Sequence, residues 1–195
     1  REAIAITNAS ANATDTFDTI TFDPSLSGTI HLDGGDGAGG VVGGTLNITG
    51  PLRIDGDGRI VISGDVAGDD VHVAGSDVTD VAATRAAAKI FDNVRVVNTS
   101  GPLILDSITV TGGMTRDDSS FGGAGVYAPN SEVQLVNAAV SGNAAIAGDG
   151  WVSYGGGIYA ASATLIDSTV SGNVSYAQYA DGGGIYAGTV AVINS

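Results

Sequence analysis

Leu103-Ile-Leu-Asp-Ser-Ile-Thr-Val-Thr-Gly-Gly113, Val133-Gln-Leu-Val-Asn-Ala-Ala-Val-Ser-Gly-Asn143 and Ala163-Thr-Leu-Ile-Asp-Ser-Thr-Val-Ser-Gly-Asn173 are three copies of one pattern. Leu105, Leu135 and Leu165 coincide, as do Val110, Val140 and Val170, and each step is 30 residues. A second block, Gly123-Ala-Gly-Val-Tyr-Ala128, returns as Gly155-Gly-Gly-Ile-Tyr-Ala160 and Gly182-Gly-Gly-Ile-Tyr-Ala187, at offsets of 32 and 27. The mismatch between the two sets of offsets puts insertions between the blocks. Within each block apolar and polar residues alternate, which is the two-residue period of a strand with one face buried. A unit this short, with strands and no helical stretch, cannot bury its own apolar face and must stack on its neighbours.

Successive coils solve that problem. Each strand hydrogen-bonds in parallel to its counterpart one coil on, about 4.8 Å away, and side chains of equal type pile into ladders. Leu, Ile and Val fill the interior; Leu135 and Ile166 are both expected to point inward. Val126, Ile158 and Ile185 are read as inward too, so that Tyr127, Tyr159 and Tyr186 form an outward stack beside them. Gly142-Asn143 and Gly172-Asn173 fall where a coil must turn sharply, because Gly accepts positive φ and Asn tolerates it while bonding backbone groups. Stacked asparagines at that corner are expected to make a polar ladder.

Composition agrees. The chain has 195 residues, 31 of them Gly and only 4 Pro, with 43% apolar, which excludes collagen and simple disorder and leaves glycine as punctuation between many strands. That length expects one domain or one repeat array, spanning 1–195. The 21 acidic and 7 basic residues give a net charge of −14, with Lys89 the single lysine, so binding to nucleic acid or to anionic lipid is disfavoured. No run of 18 apolar residues occurs and no charged segment precedes an apolar one, so neither membrane insertion nor a signal peptide is expected within this sequence. With no cysteine, disulfides and thiolate metal sites are excluded. Few lysines among many Asp, Ala, Gly and Val suit a secreted protein.

The first hundred residues carry looser versions of the same strands: Thr19–Phe22, Gly28–Leu32, Thr45–Thr49, Leu52–Ile54, Arg59–Ile62, Val71–Val73 and Lys89–Phe91. Residues 1–12 differ, and Arg1-Glu-Ala-Ile-Ala-Ile6 is expected to form a short helix lying across the open end of the stack as a cap. The alanine-rich stretch from Asp77 to Ala88 reads as a helical turn or a loop. The clearest repeats occupy residues 100–195.

Arg1-Glu-Ala-Ile4, Asp18-Thr-Ile-Thr-Phe-Asp-Pro-Ser-Leu-Ser-Gly-Thr-Ile30 and Leu52-Arg-Ile-Asp-Gly-Asp-Gly58 together resemble the N-terminal part of CSLREA-domain proteins, the Cys-Ser-Leu of that signature being missing. The Gly-Gly-Gly-Ile-Tyr and Val-Ser-Gly-Asn blocks resemble repeats of bacterial surface proteins of the pectate-lyase-like superfamily, and are similar to those of polymorphic outer-membrane proteins. The resemblance implies an all-β, right-handed parallel β-helix, a solenoid, that is extracellular or held at the cell surface. It speaks to fold far more than to activity. The fold class expected is therefore a right-handed parallel β-helix with a short N-terminal capping helix, of roughly six or seven coils at about 4.8 Å each.

Chemistry has to come from what the coils display. The insertions 114–122, 144–154 and 174–181 are expected to stack on one edge, carrying Phe121, Trp151, Tyr154, Tyr176 and Tyr179 with Arg116, Asp117, Asp118, Asp149 and Asp181. Rings beside carboxylates suit a glycan, whose C–H faces pack on the rings; the same rings also read as cover for their own loops. Calcium is the candidate ion, since Asp33, Asp36, Asp55, Asp57, Asp65, Asp69 and Asp70 place hard oxygen ligands in glycine-rich turns, although their spacing matches no strict calcium motif and solvated turn aspartates account for them equally. No cofactor is required by this reading. Catalysis has thin support: Arg116-Asp117-Asp118 is the best cluster, Asp69-Asp70 the second, and His31 and His72 alternate with apolar neighbours as strand residues do. The sequons at Asn8, Asn12, Asn47, Asn98 and Asn173 occur at the frequency chance allows.

The role expected is an extracellular or cell-surface structural or adhesion β-helix, and the rival a polysaccharide-binding or polysaccharide-degrading one. Val190-Ala-Val-Ile-Asn-Ser195 lies midway through a unit whose earlier copies run on, so the partner expected there is a further coil of a longer chain, or another copy docked head to tail as a filament.

Overall fold

The computed structural model describes residues 2–9, 16–32, 44–65, 94–116, 122–147 and 152–195. Helix α1 (Glu2–Ala9) precedes a first level with β1 (Asp18–Thr21) and β2 (Gly28–His31). The second level carries β3 (Leu46–Ile48) and β4 (Leu52–Ser63), and the third β5 (Val97–Thr99), β6 (Leu103–Thr111) and β7 (Met114–Arg116). The fourth holds β8 (Val126–Val136), β9 (Ala139–Ser141) and β10 (Ala144–Ile146). In the fifth come β11 (Val152–Tyr154), β12 (Ile158–Ile166), β13 (Thr169–Ser171) and β14 (Val174–Tyr176), and β15 (Tyr179–Asp181) and β16 (Ile185–Ile193) close the stack.

The pairings join one level to the next in parallel, and the main sheet runs β1-β4-β6-β8-β12-β16. The fold is a parallel β-solenoid of about 4 turns with one short N-terminal helix. Six or seven coils were expected; the described strands stack as six levels in about 4 turns, and one coil is much longer than the rest. Leu52 pairs directly with Leu103 and Leu46 with Val97, so residues 46–97 make one long coil and no level intervenes between β4 and β6. The strands expected at Val71–Val73 and Lys89–Phe91, and the turn at Asp77–Ala88, lie outside the described residues.

Register follows the repeats residue for residue: Leu105 against Leu135, Leu135 against Leu165, Val110 against Val140, Val140 against Val170. Leu105, Leu135, Val110, Val140, Val126 and Ile158 have no exposed surface at all. Each such side chain contributes about 1.5–3 kcal/mol by leaving water, which is the main force holding level on level. One inward expectation fails. Ile166 pairs with Val136 on the outer face and is only half-buried, because Leu165 already takes the inward place and successive strand residues face opposite ways.

The corner asparagines form the expected ladder. Gly142 and Gly172 sit at φ 63° and 61°, and the residues after them aim their amides along the stack axis. Asn143 Oδ1 accepts from Gly113 N at 2.9 Å, while Asn143 N and Nδ2 donate to Asn173 Oδ1 at 3.0 and 2.9 Å. Asn173 Nδ2 donates in turn to Val140 O at 2.8 Å. The ladder begins at Gly113 because a Cβ there would lie 2.2 Å from Ala124 O, so that level cannot carry an asparagine. Helix α1 caps the other end as expected: Ile4 is buried in the core, and Asn8 mimics a missing strand by donating to Asn47 O and accepting from Thr49 N, both at 2.8 Å.

Candidate functional site

The described parts of the three insertions do stack on one edge, and they do so as strands. Met114, Ala144 and Val174 share a register, as do Arg116, Ile146 and Tyr176, in the sheet β7-β10-β14. Beside it β11 and β15 pair Val152 with Tyr179 and Tyr154 with Asp181. Small residues let the two sheets close on each other. Ala144, Ala145 and Ser153 are buried between them, and the polar atoms are satisfied locally: Ser175 Oγ donates to Ser153 Oγ at 2.8 Å, and Ser153 Oγ to Ala145 O at 3.2 Å. Among the described residues the edge is therefore an arm in which β10 and β11 pack directly on each other.

Its outer surface is aromatic. Tyr127, Tyr159 and Tyr186 stand in one outward row, and adjacent rings meet edge to face at 5.4 Å. Tyr154 folds back from β11 onto this row, 4.5 Å from Tyr186 and 5.8 Å from Tyr159. Arg95 closes the row by laying its guanidinium 4.4 Å from the centre of the Tyr127 ring, a cation–π contact. Burial, and then the neighbouring hydroxyls of Tyr127, Tyr186 and Tyr154, push the Tyr159 phenol above its ordinary range. The row continues toward the N-terminal end as Asn98 and Asn47, with Asn98 Nδ2 donating to Asn47 Oδ1 at 2.9 Å.

The sequence-derived residues thus divide. Tyr154 packs locally, whereas Tyr176 and Tyr179 are exposed, Tyr179 by 62%. Arg116 is opposite Ile146 in the strand register, and Phe121, Asp117, Asp118, Asp149 and Trp151 lie outside the described residues. Of the calcium set, Asp33, Asp36, Asp69 and Asp70 also lie outside them, together with His72. Asp55 accepts from Asp57 N at 3.0 Å, and the Asp57 carboxylate pairs with Arg59 at 2.9 Å. Asp65 uses its backbone, its amide donating to Ser63 Oγ at 3.2 Å and its carbonyl accepting from His31 Nδ1 at 2.7 Å. Among the described residues no three acidic, histidine or cysteine side chains gather as a metal site.

Two contacts escaped the sequence reading. Arg53 pairs with the buried Asp106, and Arg95 covers Tyr127. The signal for the first was the coincidence of Leu52-Arg-Ile-Asp55 with Leu103-Ile-Leu-Asp106, hidden because that coil is 51 residues long where the later ones have about 30. Comparison of the chain with protein-family models, curated proteins and solved structures gives no match.

Proposed function

We propose that this chain is a structural or adhesion β-helix of an extracellular or cell-surface protein, of the kind its resemblance to CSLREA-domain and pectate-lyase-like surface proteins implies. The observation that carries the reading is where the polar side chains go. Asn143, Asn173, Asn8, Asn98, Ser153, Ser168 and Asp106 each bond a neighbouring level, so the polar groups maintain the stack rather than converge on a common point. Such a rod holds whatever it displays at a set distance and orientation. On the last level Val190 and Val192 stay about half exposed although their register partners Ala163 and Leu165 are buried, so a further coil laid on that level would cover apolar surface. A head-to-tail copy would have to displace α1 from β3 at the opposite end.

Glycan binding is the second reading, favoured by the exposed Tyr176 and Tyr179 beside Asp181. Incubation with pectin, alginate and neutral β-glucans tests both. The structural reading expects no unsaturated or reducing ends; turnover that disappears in Arg116→Ala overturns it. Retention on one of these polymers that is lost in a Tyr176→Ala/Tyr179→Ala variant selects the glycan-binding reading instead.

A further inference from the structure

The last two levels meet outside the core at a point where two phenol rings lie face against face. Tyr154, half-buried at the end of β11, and Tyr186, 37% exposed in β16, have ring centres 4.5 Å apart and planes 39° from parallel. Ring centres this near bring the two faces over each other, with ring carbons in contact. The other pairs of the row differ. Tyr127–Tyr159 and Tyr159–Tyr186 stand at 71° and 69°, each with one ring's edge turned to the other's face, and Tyr154–Tyr159 is wider at 5.8 Å.

That difference matters for radical chemistry. A tyrosyl radical carries spin on the carbons ortho to its oxygen, in orbitals perpendicular to the ring, so two such rings couple where their faces overlap. In this row the requirement singles out Tyr154 with Tyr186. The chain has no cysteine, so no disulfide can join its levels. The last level is also held weakly, Val190 and Val192 being about half exposed. A covalent link from Tyr154 to Tyr186 closes the chain around β12 to β15 and ties the last level to the one before it, restricting the unfolded chain as a cross-link does.

We propose that Tyr154 and Tyr186 form an oxidative cross-linking site, joined as dityrosine by a one-electron oxidant of the haem-peroxidase class acting with hydrogen peroxide. Each phenol gives up one electron and its hydroxyl proton, a bond forms between one ortho carbon of each ring, and the hydrogen on each of those carbons moves to the oxygen of its own ring to restore the phenol. Hydrogen peroxide takes up the two electrons and two protons and leaves as two molecules of water. The assignment does not depend on the scaffold role, which rests on the polar side chains that bond level to level.

Treatment of the dilute full chain with a haem peroxidase and hydrogen peroxide tests the assignment. A monomeric product is expected, lighter by two hydrogens and carrying dityrosine fluorescence. Cleavage before aspartate locates the link, since Asp149, Asp167 and Asp181 put Tyr154 and Tyr159 on one peptide, Tyr176 and Tyr179 on a second and Tyr186 on a third. The first and third should emerge joined. Tyr154→Phe and Tyr186→Phe, which keep the rings, should each lose this product, whereas Tyr159→Phe and Tyr179→Phe should retain it. The cross-linked chain should also unfold at a higher urea concentration than the Tyr154→Phe variant treated in the same way. Absence of the joined peptides overturns the proposal, as does a link between them that survives Tyr154→Phe. So do covalent dimers through Tyr179 in place of the internal link, or a cross-linked chain whose urea midpoint is unshifted.

Discussion

The interior levels and the outer levels of the solenoid place the same kinds of residue in the same ladders with opposite results. Leu105 and Leu135 are fully buried and Leu165 nearly so, yet Val192, the next member of that ladder, is 57% exposed. At the other end Ile62 is buried and its partner Ile30 is not. The inward direction of a side chain is local, set by strand alternation, but its burial is supplied by the level above or below. In a stack of this kind stability resides between units, as expected when each repeat contacts only its neighbours.

The sharpest way to break that contrast is to put a charge into an interior level. Leu135→Asp should abolish folding, because the carboxylate would be enclosed between levels with no partner, and circular dichroism in water should show an unfolded chain. The milder Leu135→Ala is expected to cost about 2–5 kcal/mol in urea unfolding, whereas Val192→Ala on the exposed level should cost less than about 1 kcal/mol. Equal losses at the two positions would mean the levels are not graded as described.

The asparagine ladder offers the next test. Asn143 bonds levels on both sides and Asn173 chiefly one, so Asn143→Ala should cost about 2–4 kcal/mol and Asn173→Ala about half as much, from the difference in buried groups left unpaired. Chemical denaturation of the two variants orders them, and a reversed order would place the ladder's anchor at the outer level.

Smaller again is the glycine pair. A Cβ on Gly113 would press on the Ala124 carbonyl, while one on Gly50 meets nothing within 4 Å. Gly113→Ala is therefore expected to lower stability by roughly 1–3 kcal/mol and Gly50→Ala to leave it within about 0.5 kcal/mol. Thermal melts of the pair decide it.

The least effect belongs to the aromatic row. Tyr159 has a raised phenol pKa in the folded chain, so folding favours its protonated form; that contribution is complete below the ordinary tyrosine range and is lost as pH rises through the folded value. Ultraviolet titration of the chain's 6 tyrosines should show one ionising after the others, and Tyr159→Phe should remove that last step and flatten the alkaline decline in stability. A Tyr159→Phe profile identical to the parent would show that the row does not shield this phenol.

Much of this arrangement was legible before any coordinates. The 30-residue offsets name the partners Leu105, Leu135 and Leu165, and Ser-Gly-Asn at the end of two copies marks a corner and its ladder, because equal residues at equal positions stack when coils are equal in length. The outward tyrosine row follows from alternation beside Val126 and Ile158. Tyr154 was harder: it belongs to an insertion, and whether a ring on an insertion folds back or reaches out depends on what lies within its reach, here Tyr186 and Tyr159. Ile166 was misread against the repeat itself: Leu165 stands in the inward ladder with Leu135, and alternation then turns the next residue outward.

By itself, then, the sequence determined the period, the parallel stacking and the residues that form the ladders, since these depend on side-chain alternation and on distances along the chain. Only the tertiary structure decided which level follows β4, and with it the pairs Arg53–Asp106 and Asn98–Asn47, because a coil of 51 residues breaks the period from which partners are counted. It also decided that the described parts of the insertions pair into two small sheets, and that α1 packs against β3. Those outcomes turn on how surfaces from distant parts of the chain fit in space, and packing of that kind leaves no periodic trace in the order of the residues.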